Sequence, residues 1–153
     1  RARALFALCG LDIMQGAADL GNVGLGSTIF AVKPGDGSAR EQAASCQKVL
    51  GGWANLAVEY ATKRYRSNLI NWGMLPFIGD ADLAETLRVG DWLAVPNVRK
   101  AVQNAEPTIL AYVVREDGSA EQIALTLKDL TDDERQIILD GCLINFYNST
   151  RKQ

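Results

Sequence analysis

Residues 35–40 read Gly-Asp-Gly-Ser-Ala-Arg and lead directly into the apolar spacing of a helix. Glycines at 35 and 37 permit positive φ and let a ligand approach the backbone. The N–H groups of a first helical turn have no intrahelical partners, and the helix dipole favours negative charge beside them. Arg40, in that turn, adds a planar fork suited to a carboxylate or phosphate. It stands where the dipole disfavours a cation, a cost that a bound anion offsets. Ser38 lies between these donors, where an alkoxide is stabilised and can act as a base. These residue types point to anion binding. The same spacing also describes a plain turn with Ser38 as helix N-cap, and spacing alone leaves both readings open.

Several other chemistries are excluded or weakened by composition. The 153 residues contain no histidine, so a Ser-His-Asp triad, a His general acid or a His-ligated zinc would need an imidazole from elsewhere. Cys9, Cys46 and Cys142 are odd in number, widely spaced and without a C-x-x-C pair. They argue against a disulfide framework and against a metal or cluster site held by this chain, and fit a reducing, cytoplasmic setting. The 16 Lys and Arg against 18 Asp and Glu give a formal charge of −2, without the basic excess of a nucleic-acid binder. No apolar run approaches a membrane span. The Gly-rich run 21–28 lacks the lysine of a P-loop, and 35–37 lacks the third glycine of a dinucleotide fingerprint. Asn148-Ser149-Thr150 matches a glycosylation triplet that no secretion signal accompanies. The local basic cluster of Lys63, Arg64 and Arg66 reads as a solvated helix face.

The elements that must position the 35–40 loop are legible on either side of it. A short helix is expected over 2–9, followed by a Gly-rich loop over 19–27. The β-branched run 28–32 predicts a buried strand, and Pro34-Gly35-Asp36-Gly37 a turn. A helix over 39–49 ends at Gly51-Gly52, a strand covers 54–58, a helix over 61–72 ends at Gly73, and a strand over 74–78 contains Pro76. This alternation predicts a parallel α/β layer. Strands over 92–95, 108–115 and 122–127, the last two joined through Asp117-Gly118, predict a smaller antiparallel sheet. Thr131 and Glu134 form a capping box for a helix over 132–139 that stops at Gly141, with a further helix over 143–149. With 48% hydrophobic and 22% charged residues, the whole of 1–153 is expected to be one globular domain. The first residue is Arg1, so the chain is expected to be a C-terminal fragment of a longer one.

Residues Gly35-Asp36-Gly37-Ser38-Ala39-Arg40-Glu41-Gln42-Ala43-Ala44 resemble the aconitase-family motif Gly-Ser-Ser-Arg-Glu/Asp followed by a few residues and Ala. At suitable spacing, Leu50-Gly51 is similar to the family's Leu-Gly. Arg66-Ser67-Asn68-Leu69-Ile70-Asn71-Trp72-Gly73-Met74-Leu75-Pro76 is similar to its Arg-Ser-Asn-Leu-Ile-x-x-Gly-Ile-Leu-Pro segment. The strong matching covers residues 28–80, with looser similarity beyond, closest in character to divergent bacterial aconitase-like hydratases. The resemblance implies a swivelling β/β/α domain of three layers. It implies that Ser38 is the proton-abstracting base and that Arg40 binds a substrate carboxylate, with Gly37 and Ala39 completing the substrate-binding loop.

The implied reaction is the reversible dehydration of a hydroxy-carboxylic acid. Its [4Fe–4S] cluster would be held outside this chain, by other domains of the same protein or a large subunit, with a small di- or tricarboxylate as substrate. The sequence departs from the pattern at three places. Ala39 stands at the second serine, Gln42 at a common His or Trp, and Tyr65 where a His often precedes Arg-Ser-Asn. These departures motivate the competing expectation of a non-catalytic binding domain with a drifted site. Arg66, Ser67 and Asn68 are expected to do mainly structural work, and Trp53, Trp72 and Trp92 to lie in the core or at a domain interface.

Overall fold

The computed structural model describes residues 23–151 together with Ala7. The helix expected over 2–9 (Ala7 apart), Cys9 and residues 19–22 of the Gly-rich run lie outside the described residues. Three strands, β1 (Ser27–Ala31), β2 (Gly52–Ala57) and β3 (Leu75–Ile78), form a parallel sheet in the order β1-β2-β3. Helix α1 (Arg40–Val49) connects the first two strands and α2 (Lys63–Asn71) the second two. A second sheet is antiparallel, with β4 (Trp92–Ala94), β5 (Ile109–Val114) and β6 (Ala120–Leu125) in that order. Short helices α3 (Leu83–Thr86) and α4 (Val98–Gln103) precede β4 and β5. Helices α5 (Asp132–Asp140) and α6 (Leu143–Thr150) follow β6.

The layers follow from which faces are apolar. Ala54, Leu56 and Phe77 of the parallel sheet pack against Ala101, Ile109, Ala111 and Leu125 of α4 and the antiparallel sheet. On the opposite side, Ala44 of α1 packs with Tyr65 and Leu69 of α2 and with Met74. The parallel sheet is therefore the middle layer of a β/β/α stack, as the resemblance implies. Its central strand is buried on both faces from Ala54 to Ala57, which is why it reads as an apolar run rather than an alternation. Burial of Leu56 and Phe77 contributes about 1.5–3 kcal/mol each. Pro76 is tolerated inside β3 because that strand lies at the sheet's edge.

The two halves are stitched at defined points. Ile78 at the end of β3 exchanges both backbone hydrogen bonds with Thr126 just beyond β6, at 2.9 and 2.8 Å. The Arg66 guanidinium on α2 donates to the Lys128 carbonyl, so Arg66 does the structural work expected of it. Gly73 turns the chain out of α2 with φ +65°, and a Cβ there would lie 1.9 Å from the Gly141 carbonyl oxygen. Ile70, Leu130 and Ile137 complete that contact between α2 and α5.

The β5–β6 turn and the caps of α5 are found as predicted, whereas residues 34–36 form no turn and β1, expected to be buried, is exposed to half-buried at the edge of its sheet. Gly118 carries φ +86° in the β5–β6 hairpin, Thr131 and Glu134 form the reciprocal capping box, and Gly141 closes α5 in the left-handed region. Helices α3 and α4 are not anticipated by the sequence reading. They span four and six residues, too few for the helical spacing to repeat, and are held by burial of Leu83, Ala101 and Val102. Trp53 and Trp92 are 46% and 41% exposed, so neither is a core residue.

The single hydroxyl hydrogen of Tyr60 is shared between the carbonyls of Asn55 and Phe77, at 3.3 Å each, pinning β2 to β3. Burial pushes its phenol well above the ordinary value of about 10; nearby Tyr65 adds to the shift and Arg66 opposes it. Because the folded-state value is raised, its contribution to stability is complete below pH about 10 and is lost as pH climbs toward the folded value. Denaturant midpoints measured from pH 8 to 11 should therefore fall above pH about 10. Tyr60→Phe should flatten part of that fall and cost about 1 kcal/mol at neutral pH. Gly73→Ala, with no room for its methyl and an unfavourable φ, should destabilise by about 2–4 kcal/mol in the same measurement.

Candidate functional site

The 33–39 loop leaves the C-terminal end of β1, the edge of a parallel sheet where ligands characteristically bind in open α/β folds. Backbone bonds fasten it to the segment that follows β2. The Glu59 N–H donates to the Val32 carbonyl at 3.1 Å and the Ala61 N–H to the Pro34 carbonyl at 2.9 Å. Lys33 pairs with Glu59 at the exposed rim.

Gly35 is the sharp point of the loop, with φ +98° and its α-carbon against the Tyr65 ring, where a Cβ would sit 2.6–2.7 Å from Tyr65 atoms. Only glycine satisfies both constraints. Gly37 is different: its φ is not in the left-handed range, and a Cβ there would meet nothing within 4 Å. Of the two glycines only Gly35 uses the positive φ that both permit, and Gly37 is an open, exposed approach to the backbone.

Ser38 and Ala39 are exposed, and Arg40 is half-buried as the first residue of α1. The N-cap is Ala39, with no side-chain hydrogen bond to the first turn. The alternative of Ser38 as a capping serine is thus not found, and no side chain caps the first-turn N–H groups. Arg40 folds back over the loop. Its Nε donates to the Gly35 carbonyl at 3.1 Å and its Nη2, more weakly, to the Asp36 carbonyl at 3.4 Å. Of the five N–H donors of a guanidinium, three have no partner among the described residues. A cation at a helix N-terminus is thus partly compensated by two carbonyl dipoles, a source of compensation that sequence spacing does not reveal.

Beneath this loop lies a buried polar chain that the sequence reading missed. Gln47 of α1 donates to Asn55 Oδ1 at 2.5 Å and to the Ala54 carbonyl at 3.2 Å. Asn55 Nδ2 donates to the Tyr65 hydroxyl at 2.8 Å. Asn55 is 1% exposed, and an asparagine in the apolar run Ala54–Ala57 was the signal available for it. Thr62, the N-cap of α2, accepts from the Tyr65 N–H at 3.3 Å and donates to the Gly35 carbonyl at 3.0 Å. Of the departures noted in the sequence, Tyr65 is thus a buried framework residue, while Gln42 is exposed on α1. Lys63 and Arg64 project from the start of α2 into solvent.

A curated aconitate hydratase A from Rickettsia bellii (strain RML369-C) is 28% identical over 137 residues, which is 88% of this chain. This chain is thus similar, at a distance, to a member of the aconitase superfamily. It spans about 15% of the length of that aconitate hydratase. No family model matches the chain. The β/β/α stack and the motif loop at its sheet edge coincide in one chain. Among the described residues no three His, Cys, Asp or Glu side chains are grouped to hold a metal. Cys46 on α1 and Cys142 before α6 are free thiols. The described residues therefore do not fit an iron–sulfur cluster. No helix among them is long and apolar enough to cross a membrane.

The two loop glycines separate the framework from the approach path. Gly35→Ala should lower the thermal midpoint by several degrees, as a strained φ and a clash with the Tyr65 ring together cost about 2–4 kcal/mol. Gly37→Ala should leave it unchanged to within about 0.5 kcal/mol. Scanning calorimetry of both variants checks the assignment.

Proposed function

We propose that this chain supplies the substrate-gripping and proton-abstracting loop of an aconitase-like hydro-lyase acting on a small di- or tricarboxylate. The observation that carries the reading is Arg40, held by two loop carbonyls with three N–H donors left over, beside an uncapped helix N-terminus and the exposed Ser38. Arg40 grips a substrate carboxylate, with the open backbone at Gly37 and Ala39 completing the contact. Ser38, as the alkoxide, takes the proton from the carbon next to a carboxylate and becomes the neutral hydroxyl. The first-turn N–H groups and the guanidinium lower the cost of negative charge at that position. The electron pair of that C–H bond forms the double bond as hydroxide leaves the neighbouring carbon, and the water lost is made up of that hydroxide and the proton that Ser38 gives up to regenerate the alkoxide; the reverse reaction is hydration.

The [4Fe–4S] cluster belongs, in this reading, to other domains of the complete protein or to a large subunit, and the chain described is one part of the catalyst. The free thiols of Cys46 and Cys142 agree with a reducing, cytoplasmic location. The test is to reconstitute the complete protein anaerobically with iron and sulfide and to assay hydration of unsaturated di- and tricarboxylates. Ser38→Ala should lower kcat by about 10²-fold or more with little change in KM. Arg40→Lys, which loses the planar fork, should chiefly raise KM. Full activity in the Ser38→Ala variant, or none in the parent across the panel, sinks the catalytic role.

Ala39 favours a second reading, a binding domain that keeps the fold without turnover, because it removes a hydroxyl from the loop. Carboxylate binding that depends on Arg40, in a reconstituted protein with no turnover, would select it.

A further inference from the structure

We propose that Thr62 is a positioning residue that aims the Arg40 guanidinium through an acceptor the two side chains share, the Gly35 carbonyl. The inference rests on the reading of Arg40 as the carboxylate-binding group. A carbonyl oxygen offers two lone pairs. At Gly35 one is taken by the Thr62 hydroxyl at 3.0 Å and the other by Arg40 Nε at 3.1 Å. Three independent constraints keep that acceptor in place. The Thr62 oxygen is itself fixed by accepting the Tyr65 N–H at 3.3 Å in the first turn of α2. The Ala61 N–H, one residue before, holds the Pro34 carbonyl at 2.9 Å. The Gly35 φ of +98° brings its α-carbon against the Tyr65 ring, and that ring is anchored in turn by Asn55 at the hydroxyl.

The position of the Gly35 oxygen is thus dictated by α2 and the central strand, although Gly35 belongs to the loop before α1. Arg40 Nε takes its direction from that oxygen, and the remaining bond, Nη2 to the Asp36 carbonyl at 3.4 Å, is too long to fix the plane alone. Without the Thr62 hydroxyl the carbonyl loses its one direct partner from α2, and the guanidinium it directs is held less closely. An error of about 1 Å in the placement of a binding fork is enough to lose one to two orders of magnitude in its effect.

The test measures dissociation constants for propane-1,2,3-tricarboxylate by titration calorimetry in the complete, folded protein, with thermal midpoints recorded for each variant. Thr62→Val should weaken binding about tenfold, Thr62→Ser should restore it to within about twofold, and Arg40→Ala should abolish it. A lost helix cap alone lowers the thermal midpoint without changing affinity in the folded protein. Unchanged affinity in Thr62→Val alongside lost affinity in Arg40→Ala overturns the positioning role and leaves Arg40 as the carboxylate site. Unchanged affinity in Arg40→Ala, or no binding in the parent, overturns the reading of Arg40 and this inference with it. If Thr62→Val does not fold, Thr62→Cys, a weak donor of similar size, decides: parent-level affinity there also overturns the positioning role.

Discussion

Asn55 sits in the middle of the central strand with 1% of its surface exposed, a polar side chain where both neighbouring layers are apolar. Its amide has to be hydrogen-bonded on both sides, because an unmade bond there costs on the order of 1–3 kcal/mol. Gln47 reaches it from α1 and the Tyr65 hydroxyl from α2. The two helices that flank the motif loop are therefore indexed to one residue of the sheet beneath them. Apolar contacts between Ala44, Tyr65 and Leu69 provide adhesion without direction; the Asn55 bonds provide direction. Every feature of the loop inherits that indexing, from the Tyr65 ring that forces glycine at 35 to the Thr62 hydroxyl that holds its carbonyl.

The rest of the molecule acts as a buttress for this arrangement. The antiparallel sheet covers the second face of the parallel one, and the paired backbone bonds between Ile78 and Thr126 carry the edge of one sheet to the other. On the opposite side α5 closes against α2, where the approach of Gly73 to Gly141 leaves no room for a side chain. Arg66 ties α2 to the segment after β6. The sequence stretch 66–76, shared in pattern with aconitases, is thereby explained as framework: it holds the helix that holds the loop. The exposed Ser38 and the half-buried Arg40 stand on the one side of this frame where the helix N-terminus is left uncapped.

Much of this architecture was present in local residue chemistry. The β-branched and apolar runs at 28–32 and 54–58, punctuated by Gly51-Gly52 and Gly73, predicted the parallel layer, because strand and helix periods differ and glycine stops a helix. Asp117-Gly118 and the Thr131–Glu134 box predicted a hairpin and a helix start because both are satisfied within a few residues. What stayed hidden was short or long-range. Helices α3 and α4 are each under two turns long, too short for an apolar spacing to recur. The half-exposed Trp53 and Trp92 show that a large aromatic side chain does not by itself specify burial.

The loop 35–40 divides along the same line. The sequence by itself determined its residue types: a serine and an arginine at the opening of a helix, in a pattern similar to one family's, and no histidine anywhere in the 153 residues. Tertiary structure alone decided how those side chains are held. Gly35 is obligatory because Tyr65, thirty residues on, fills the space beside it, whereas Gly37 faces open space and is not. Arg40 spends two donors on carbonyls of its own loop, and one of those carbonyls is set by Thr62 from the next helix. Such bonds join residues far apart in the chain, so no window of local pattern contains them; they exist only once α1, β2 and α2 are packed.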